Sequence, residues 1–375
     1  MASSSMEVPS NREGLPRHEP QPQLEFPANL DILRSIAVLL VLLDHGLDMV
    51  GAKHNLEASL RDFDTCVGRL GVLLFFVHTN LVLNFSLARL RTSGWTLFRN
   101  FLVRRAFRLY PLSILCVLLV AIFKLPSTPL SHVAAQYNWV SLISNLALTS
   151  DVTNTPVLLG PLWTLSVEME MYVVMPIVFM ALGPLRSPRV ALGLWLLAAC
   201  FAWIQPAMAE RLMAIEFAPC FLAGTVAYTL SGWYARRLSS LLWIPLLLAL
   251  LCGFVITQQA APEGISNMPL EWVFCLTLGL CIPLFHDSSL WIVNYAAKRI
   301  ARYSYGIYLF HFIALWVGFT ALSDLPEPWQ WAVTLALLVV MSVGAYHLLE
   351  KPAIDLGTRL TGPRARADAS VGQTA

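Results

Sequence analysis

Arg34 and His45 stand eleven residues apart in the run "LDILRSIAVLLVLLDHGLDMV" (30–50), which is otherwise almost wholly apolar. On a helix, eleven residues advance about 16 Å and close to three turns, so the two side chains share a face at different depths. Asp31 precedes Arg34 by three residues, a spacing that permits an ion pair. Asp44 and Asp48 lie within a turn of His45, where either can hold the imidazole in one tautomer. An imidazole so oriented is suited to taking a proton from a hydroxyl. The same residues also fit a plainer reading, with Asp31 and Arg34 as interfacial anchors, Arg34 snorkelling to water, and His45 near the outer end of the helix.

Other chemistry-bearing residues recur inside apolar stretches. In "PLWTLSVEMEMYVVMP" (161–176), Trp163 and Ser166 are one turn apart, as are Glu168 and Tyr172. Glu168 and Glu170 point to nearly opposite sides, and Glu168 is the candidate because Tyr172 can satisfy it. In "FLVRRAFRLYPL" (101–112), Arg105 and Arg108 present guanidinium forks that match phosphate, and they equally suit anionic lipid. In "ARYSYGIYLFH" (301–311), Ser304, Tyr308 and His311 form a stripe at i, i+4 and i+7. His78, in "GVLLFFVHTNLVL" (71–83), is either an extra polar group in a pocket or a satisfied packing histidine.

Taken in order, these stretches resemble the membrane acyltransferase-3 family. The opening run is similar to the family's Arg or Lys followed by His; 101–112 to its arginine motif, with Arg105 and Arg108 in the matching places; 161–176 to its Trp, Leu-Ser, Glu, Tyr and Pro pattern; and 301–311 to its Ser-Tyr, Tyr-Leu, His signature. "HLLEKPAIDL" (347–356) resembles the closing Glu-x-Pro element, in which Glu350 and Pro352 would have a structural role. The chain departs from the pattern at 78–80, where His78, Thr79 and Asn80 replace the usual Leu-Ser-Gly, so an amide fills space that small residues would leave for close helix packing.

The resemblance implies an O-acyltransferase that moves an acyl group, acetyl from acetyl-coenzyme A above all, to a hydroxyl of a sugar, glycan or small molecule. His45 would be the general base, working with Arg34 and Glu168. Asp31, Asp44, Asp48, Trp163, Ser166, Tyr172, Ser304, Tyr308 and His311 would orient or support, and Arg105 with Arg108 would meet the donor's phosphates. Acyl-coenzyme A would be a substrate, with no resident cofactor or metal. A multi-helix secondary transporter, or a catalytically inactive relative, is the alternative.

These residues need a membrane-spanning frame. The chain of 375 residues is 57% hydrophobic and only 13% charged, about half the charged share of soluble domains. The expected fold is an all-α integral membrane bundle of about ten helices, near 30–50, 67–88, 109–123, 163–183, 190–206, 212–230, 240–257, 270–286, 303–321 and 330–349. The connection 124–162 holds "YNWVSLISNLALTS", too short to span and suited to lying at the interface. Residues 1–29 are expected to form a disordered cytoplasmic leader, 30–355 the transmembrane domain and 356–375 a short disordered cytoplasmic tail.

The seven cysteines form no CxxC pair and are expected to pack as small apolar residues. A net charge of +2 gives no footprint for nucleic acid, which leaves membrane lipid, the donor and the hydroxyl acceptor as partners, in the plasma or inner membrane, with the oligomeric state open. With both termini cytoplasmic, nineteen of the 25 lysines and arginines fall on the cytoplasmic side. Reporter fusions after Lys124 and after Leu360 test this: the first should report the outer side and the second the cytoplasm, and the reverse would invert the topology.

Overall fold

The computed structural model describes residues 27–54, 58–90, 92–181, 187–208, 212–232, 237–260 and 267–362. Thirteen α-helices follow one another among these residues, with no strand: α1 (Ala28–His54), α2 (Ala58–Arg89), α3 (Gly94–Phe123), α4 (Trp139–Ala147), α5 (Ser150–Thr153), α6 (Leu162–Ala181), α7 (Pro188–Met208), α8 (Met213–Ser231), α9 (Trp243–Gln259), α10 (Met268–Cys281), α11 (Trp291–Leu315), α12 (Glu327–Ala345) and α13 (Lys351–Leu360). The protein is an all-α integral membrane protein. Among the described residues, eight helical segments are long and apolar enough to cross a membrane. Two expected spans fall outside that set: α1, which carries Asp31, Arg34, Asp44 and Asp48, and α10, only 14 residues long.

Two helices begin well before their apolar stretches. The third expected span, 109–123, starts at Gly94 and the ninth, 303–321, at Trp291, because the cationic segments ahead of them continue the helix beyond the apolar part. Pro111 sits inside α3 without ending it. The helical path past residue 349 also differs from expectation: a π-helical turn, Tyr346–Glu350, leads into α13, so residues 356–360 are helix rather than tail. The leader before residue 27 and the tail beyond 362 lie outside the described residues.

Burial separates the centre from the periphery. In the most apolar windows of α2 and α11, 72% of residues are buried; in those of α7, α9 and the α12–α13 segment, 17% are. The peripheral helices turn Leu196, Phe201, Leu248, Ile256, Val339 and Val340 outward, an arrangement stable only against lipid. Short α4 lies in the connection expected at the interface, exposing Trp139, Val140 and Ile143. All seven cysteines are free thiols; Cys116, Cys220 and Cys275 are buried, while Cys200 and Cys252 are exposed.

Helices α1 and α11 run parallel and are tied at several depths. Asn29 donates to the His286 carbonyl at 3.1 Å and accepts from the Ser288 N–H at 3.0 Å, Ser35 donates to the Ala297 carbonyl at 2.8 Å, and Arg34 Nε donates to Ser304 Oγ at 2.6 Å. Helix α2 packs against the other side of α1. Asp44 Oδ1 accepts the Gly68 N–H at 2.8 Å, and Gly71 sits so close that a Cβ there would meet the Ala37 carbonyl at 2.7 Å and Val41 Cγ2 at 2.8 Å. Arg69 pairs with Glu271 at 2.8 Å and lies over the Phe217 ring, which fixes α10 to α2.

The departure at residue 80 is absorbed on the facing helix. Asn80 donates to the Phe221 carbonyl and to Thr225 Oγ1, and Gly224 supplies the close approach, since a Cβ there would meet Leu81 N at 2.7 Å. Asn80 is thereby a helix-packing residue, fully buried. Replacing Gly71 with Val forces backbone and Val41 apart, a cost of about 1–3 kcal/mol. The thermal midpoint of purified Gly71→Val in detergent should fall clearly below wild type, and an unchanged midpoint would refute the close α1–α2 contact.

Candidate functional site

A cavity of about 1230 Å³ opens between α1, α2, α3, α6 and α11, with residues of the π-helical turn on its wall. Arg34, Arg105, Arg108, Glu168, Tyr172, Ser304 and Tyr308 all line it, so four of the sequence motifs converge in space from helices far apart in the chain. Asp31 lines it too, on the same helix as Arg34.

Each arginine is held differently. Arg34 gives Nε to Ser304, whose hydroxyl in turn donates to the Ala301 carbonyl at 2.8 Å, so the acceptor lone pair of Ser304 is aimed at the guanidinium. Arg105 donates to Ser86 Oγ at 2.6 Å and lies over the rings of Phe101 and Tyr172, 5.4 and 5.6 Å from their centroids. No hydrogen bond or ion pair to a described residue holds the Arg108 guanidinium, which leaves its fork available to an anion. Tyr172, buried, donates to Glu168, the pairing expected from their spacing. Glu350 lines the cavity, its Oε2 without a hydrogen-bond partner among the described residues, so the residue given a structural role faces the polar space.

His45 is not among the cavity-lining residues. The single polar site expected for Arg34, His45 and Glu168 is therefore divided along its depth. Sharing a face did place Arg34 and His45 on the α11 side of α1, but the rise of about 16 Å between them leaves room for intervening groups. Those groups are Tyr308, whose hydroxyl donates to Thr164 Oγ1 at 2.6 Å, and His311, whose ring centroid is 5.8 Å from that of Tyr308.

Beyond them His45 stacks on His311 at 5.2 Å and meets the edge of Phe312 at 4.6 Å. Its Nδ1 lies 3.3 Å from Asp48 Oδ2 and 3.6 Å from Asp44 Oδ2. A carboxylate only accepts, so in the neutral imidazole the proton resides on Nδ1 and Nε2 carries the lone pair. His311 Nδ1 donates to the Tyr308 carbonyl at 2.6 Å by the same logic, and its Nε2 has no partner among the described residues. The ligating atoms of Asp44, His45 and Asp48 lie within 4.8 Å of one another, a cation-sized cluster in which Asp44 Oδ1 is already engaged by Gly68.

Two expected supporting residues are occupied elsewhere. Trp163 packs against Phe76 and Phe217, and Ser166 hydrogen-bonds Ser150 at 2.6 Å, joining α6 to α5; neither lines the cavity. His78 does line it. Lys298 and Arg302 also line it without having been singled out from the sequence; four residues apart, they sit on a different face of α11 from the Ser304, Tyr308 and His311 stripe.

Comparison with known proteins adds the family context. The family profile described as an acyltransferase domain matches residues 28–347. Nodulation protein 10 of Rhizobium leguminosarum bv. viciae is 24% identical over 371 residues, covering 90% of this chain and 95% of that protein. Regulator of hypoxia-inducible factor 1 of Caenorhabditis elegans is 31% identical over 166 residues, covering 40% of this chain and 33% of that protein. No solved structure matches.

The Tyr308–Thr164 bond between the two halves of the site gives an asymmetric pair of variants. Thr164 Oγ1 also donates to the Pro161 carbonyl at 3.0 Å, so Tyr308→Phe leaves it satisfied. Thr164→Val leaves a buried phenol without an acceptor, at about 1–3 kcal/mol. Thermal midpoints should therefore fall further for Thr164→Val than for Tyr308→Phe, and the opposite order would contradict this donor assignment.

Proposed function

The chain belongs to the acyltransferase-3 family and is a multi-pass membrane O-acyltransferase, and we propose that it transfers acetyl from acetyl-coenzyme A to a hydroxyl of a sugar, glycan or small molecule, with His45 as general base. The observation that carries this reading is the two-ended arrangement: guanidinium groups of Arg34, Arg105 and Arg108 line a cavity at one depth, and an imidazole held on Nδ1 by carboxylates stands about three turns further along α1.

In this reading Arg105 and Arg108 pair with the donor's phosphates, where bidentate, charge-assisted bonds are strong. The thin pantetheine arm runs along the polar stripe of α11, past or in place of the Tyr308–Thr164 hydrogen bond, and brings the thioester toward His45. Glu168, fixed by Tyr172, offers an acceptor to the arm's amide N–H groups. His45 Nε2 takes the proton of the acceptor hydroxyl as its oxygen attacks the thioester carbonyl. The C–S bond then breaks, and the leaving thiolate receives that proton from the imidazolium. Asp48 and Asp44 keep Nδ1 protonated and balance the imidazolium charge. The proposed site of action is the plasma or inner membrane, with both termini in the cytoplasm.

Membranes holding wild type, His45→Ala or Asp48→Asn at matched expression, incubated with radiolabelled acetyl-coenzyme A and a mixed extract of hydroxyl acceptors, test this. Label should pass to a product with wild type, fall about 10²–10⁴-fold with His45→Ala, and fall less with Asp48→Asn. Equal transfer by wild type and His45→Ala would remove His45 from the chemistry. Wild-type membranes that transfer nothing to any acceptor fraction, while the protein binds acetyl-coenzyme A, would favour the inactive-relative alternative.

A further inference from the structure

Toward the start of α11 the cavity lining changes its chemistry. Trp291, Tyr295, Lys298 and Arg302 follow at i, i+4, i+7 and i+11, and all four line the cavity together with the deeper Ser304 and Tyr308. From Trp291 to Tyr308 the helix rises about 26 Å. Along that length the lining passes from aromatic rings to cations to hydroxyl groups.

The aromatic end is open to ligand. Trp291 and Tyr295 are 75% and 53% exposed although they line the cavity, and their rings lie nearly parallel, 23° apart with centroids at 5.8 Å. The Arg299 guanidinium sits 5.1 Å from the Tyr295 centroid and helps hold the pair. Between the two rings in sequence, Asn294 spends its amide N–H on the Ser288 carbonyl at 2.6 Å and keeps Oδ1 without a partner among the described residues. A flat, exposed aromatic surface beside cationic side chains is the chemistry that receives a base carrying phosphate.

Resting on the coenzyme A reading above, we propose that the start of α11 is the purine subsite of the nucleotide donor. Trp291 and Tyr295 stack the base, and Lys298 with Arg302 take the phosphate on the adjoining ribose. The order along α11 then follows the order of groups in the donor: base, phosphates, arm. Aromatic rings and cations together also suit lipid phosphate at an interface, so the shared phosphate chemistry has two sources and the purine separates them.

The full-length protein in nanodiscs of neutral phosphatidylcholine provides the test, with affinities for coenzyme A, 3′-dephospho-coenzyme A and 4′-phosphopantetheine measured for each variant. The double variant Trp291→Ala, Tyr295→Ala should lose about tenfold or more in affinity for coenzyme A and keep its affinity for 4′-phosphopantetheine. Lys298→Gln with Arg302→Gln should erase the preference for coenzyme A over its 3′-dephospho form.

Equal weakening of coenzyme A and 4′-phosphopantetheine by the aromatic variant, or no weakening of either, would overturn the purine subsite while leaving the donor reading intact. Wild type that binds none of the three ligands would overturn the donor reading itself, and the subsite with it. If the basic variant instead loses only co-purifying anionic lipid, with its preference among the three ligands unchanged, the cations serve lipid and the phosphate part of the proposal fails.

Discussion

A guanidinium held within a bundle that faces lipid must find acceptors there, because leaving a charge unmatched in apolar surroundings is costly. Arg34 meets that constraint through Ser304, and the contact fixes how α1 lies along α11. Parallel packing of these two helices follows, reinforced by Asn29 and Ser35. It sets one wall of the cavity and, further along, brings His45 against His311. The polar groups that would destabilise either helix alone are satisfied across the pair. The same pairing therefore carries both the cationic end of the site and the imidazole end.

The division between those ends gives the reaction its geometry. Phosphate chemistry suits the end lined by Arg34, Arg105 and Arg108, and proton transfer suits the end where carboxylates hold the imidazole. The proposed reaction calls for a donor long and narrow enough to occupy both, and a coenzyme thioester has that shape. Tyr308 and Thr164 stand where the arm would pass, so their hydrogen bond is a natural point of control over access. The second histidine, His311, adds a buried lone pair next to His45 without competing for its carboxylates.

Much of the frame was legible because apolar length is a direct physical requirement for crossing a bilayer. The polar stripes were legible too, since Glu168 with Tyr172, and Ser304 with Tyr308 and His311, follow from helical periodicity alone. What periodicity lacks is depth and partners. It put Arg34 and His45 on one face, yet said nothing of the side chains that α6 and α11 would insert between them. Trp163 and Ser166 were equally plausible pocket residues until neighbours 16 and 54 positions away claimed them. The extensions of α3 back to Gly94 and α11 back to Trp291 escaped notice because charged helix beyond the apolar stretch carries no hydropathy signal. Glu350 read as a helix end because the π-helical turn that presents it to the cavity has no sequence mark.

The central claim is that one donor molecule bridges the arginine-lined cavity and His45. Bromoacetyl-coenzyme A tests it most directly, because its electrophilic carbon sits where the acetyl group would and it alkylates whichever nucleophile it reaches. Peptide mass spectrometry after brief exposure should find the adduct on His45, suppressed by excess coenzyme A. An adduct confined to other residues, or labelling of His45 that excess coenzyme A leaves unchanged, would contradict the bridging geometry.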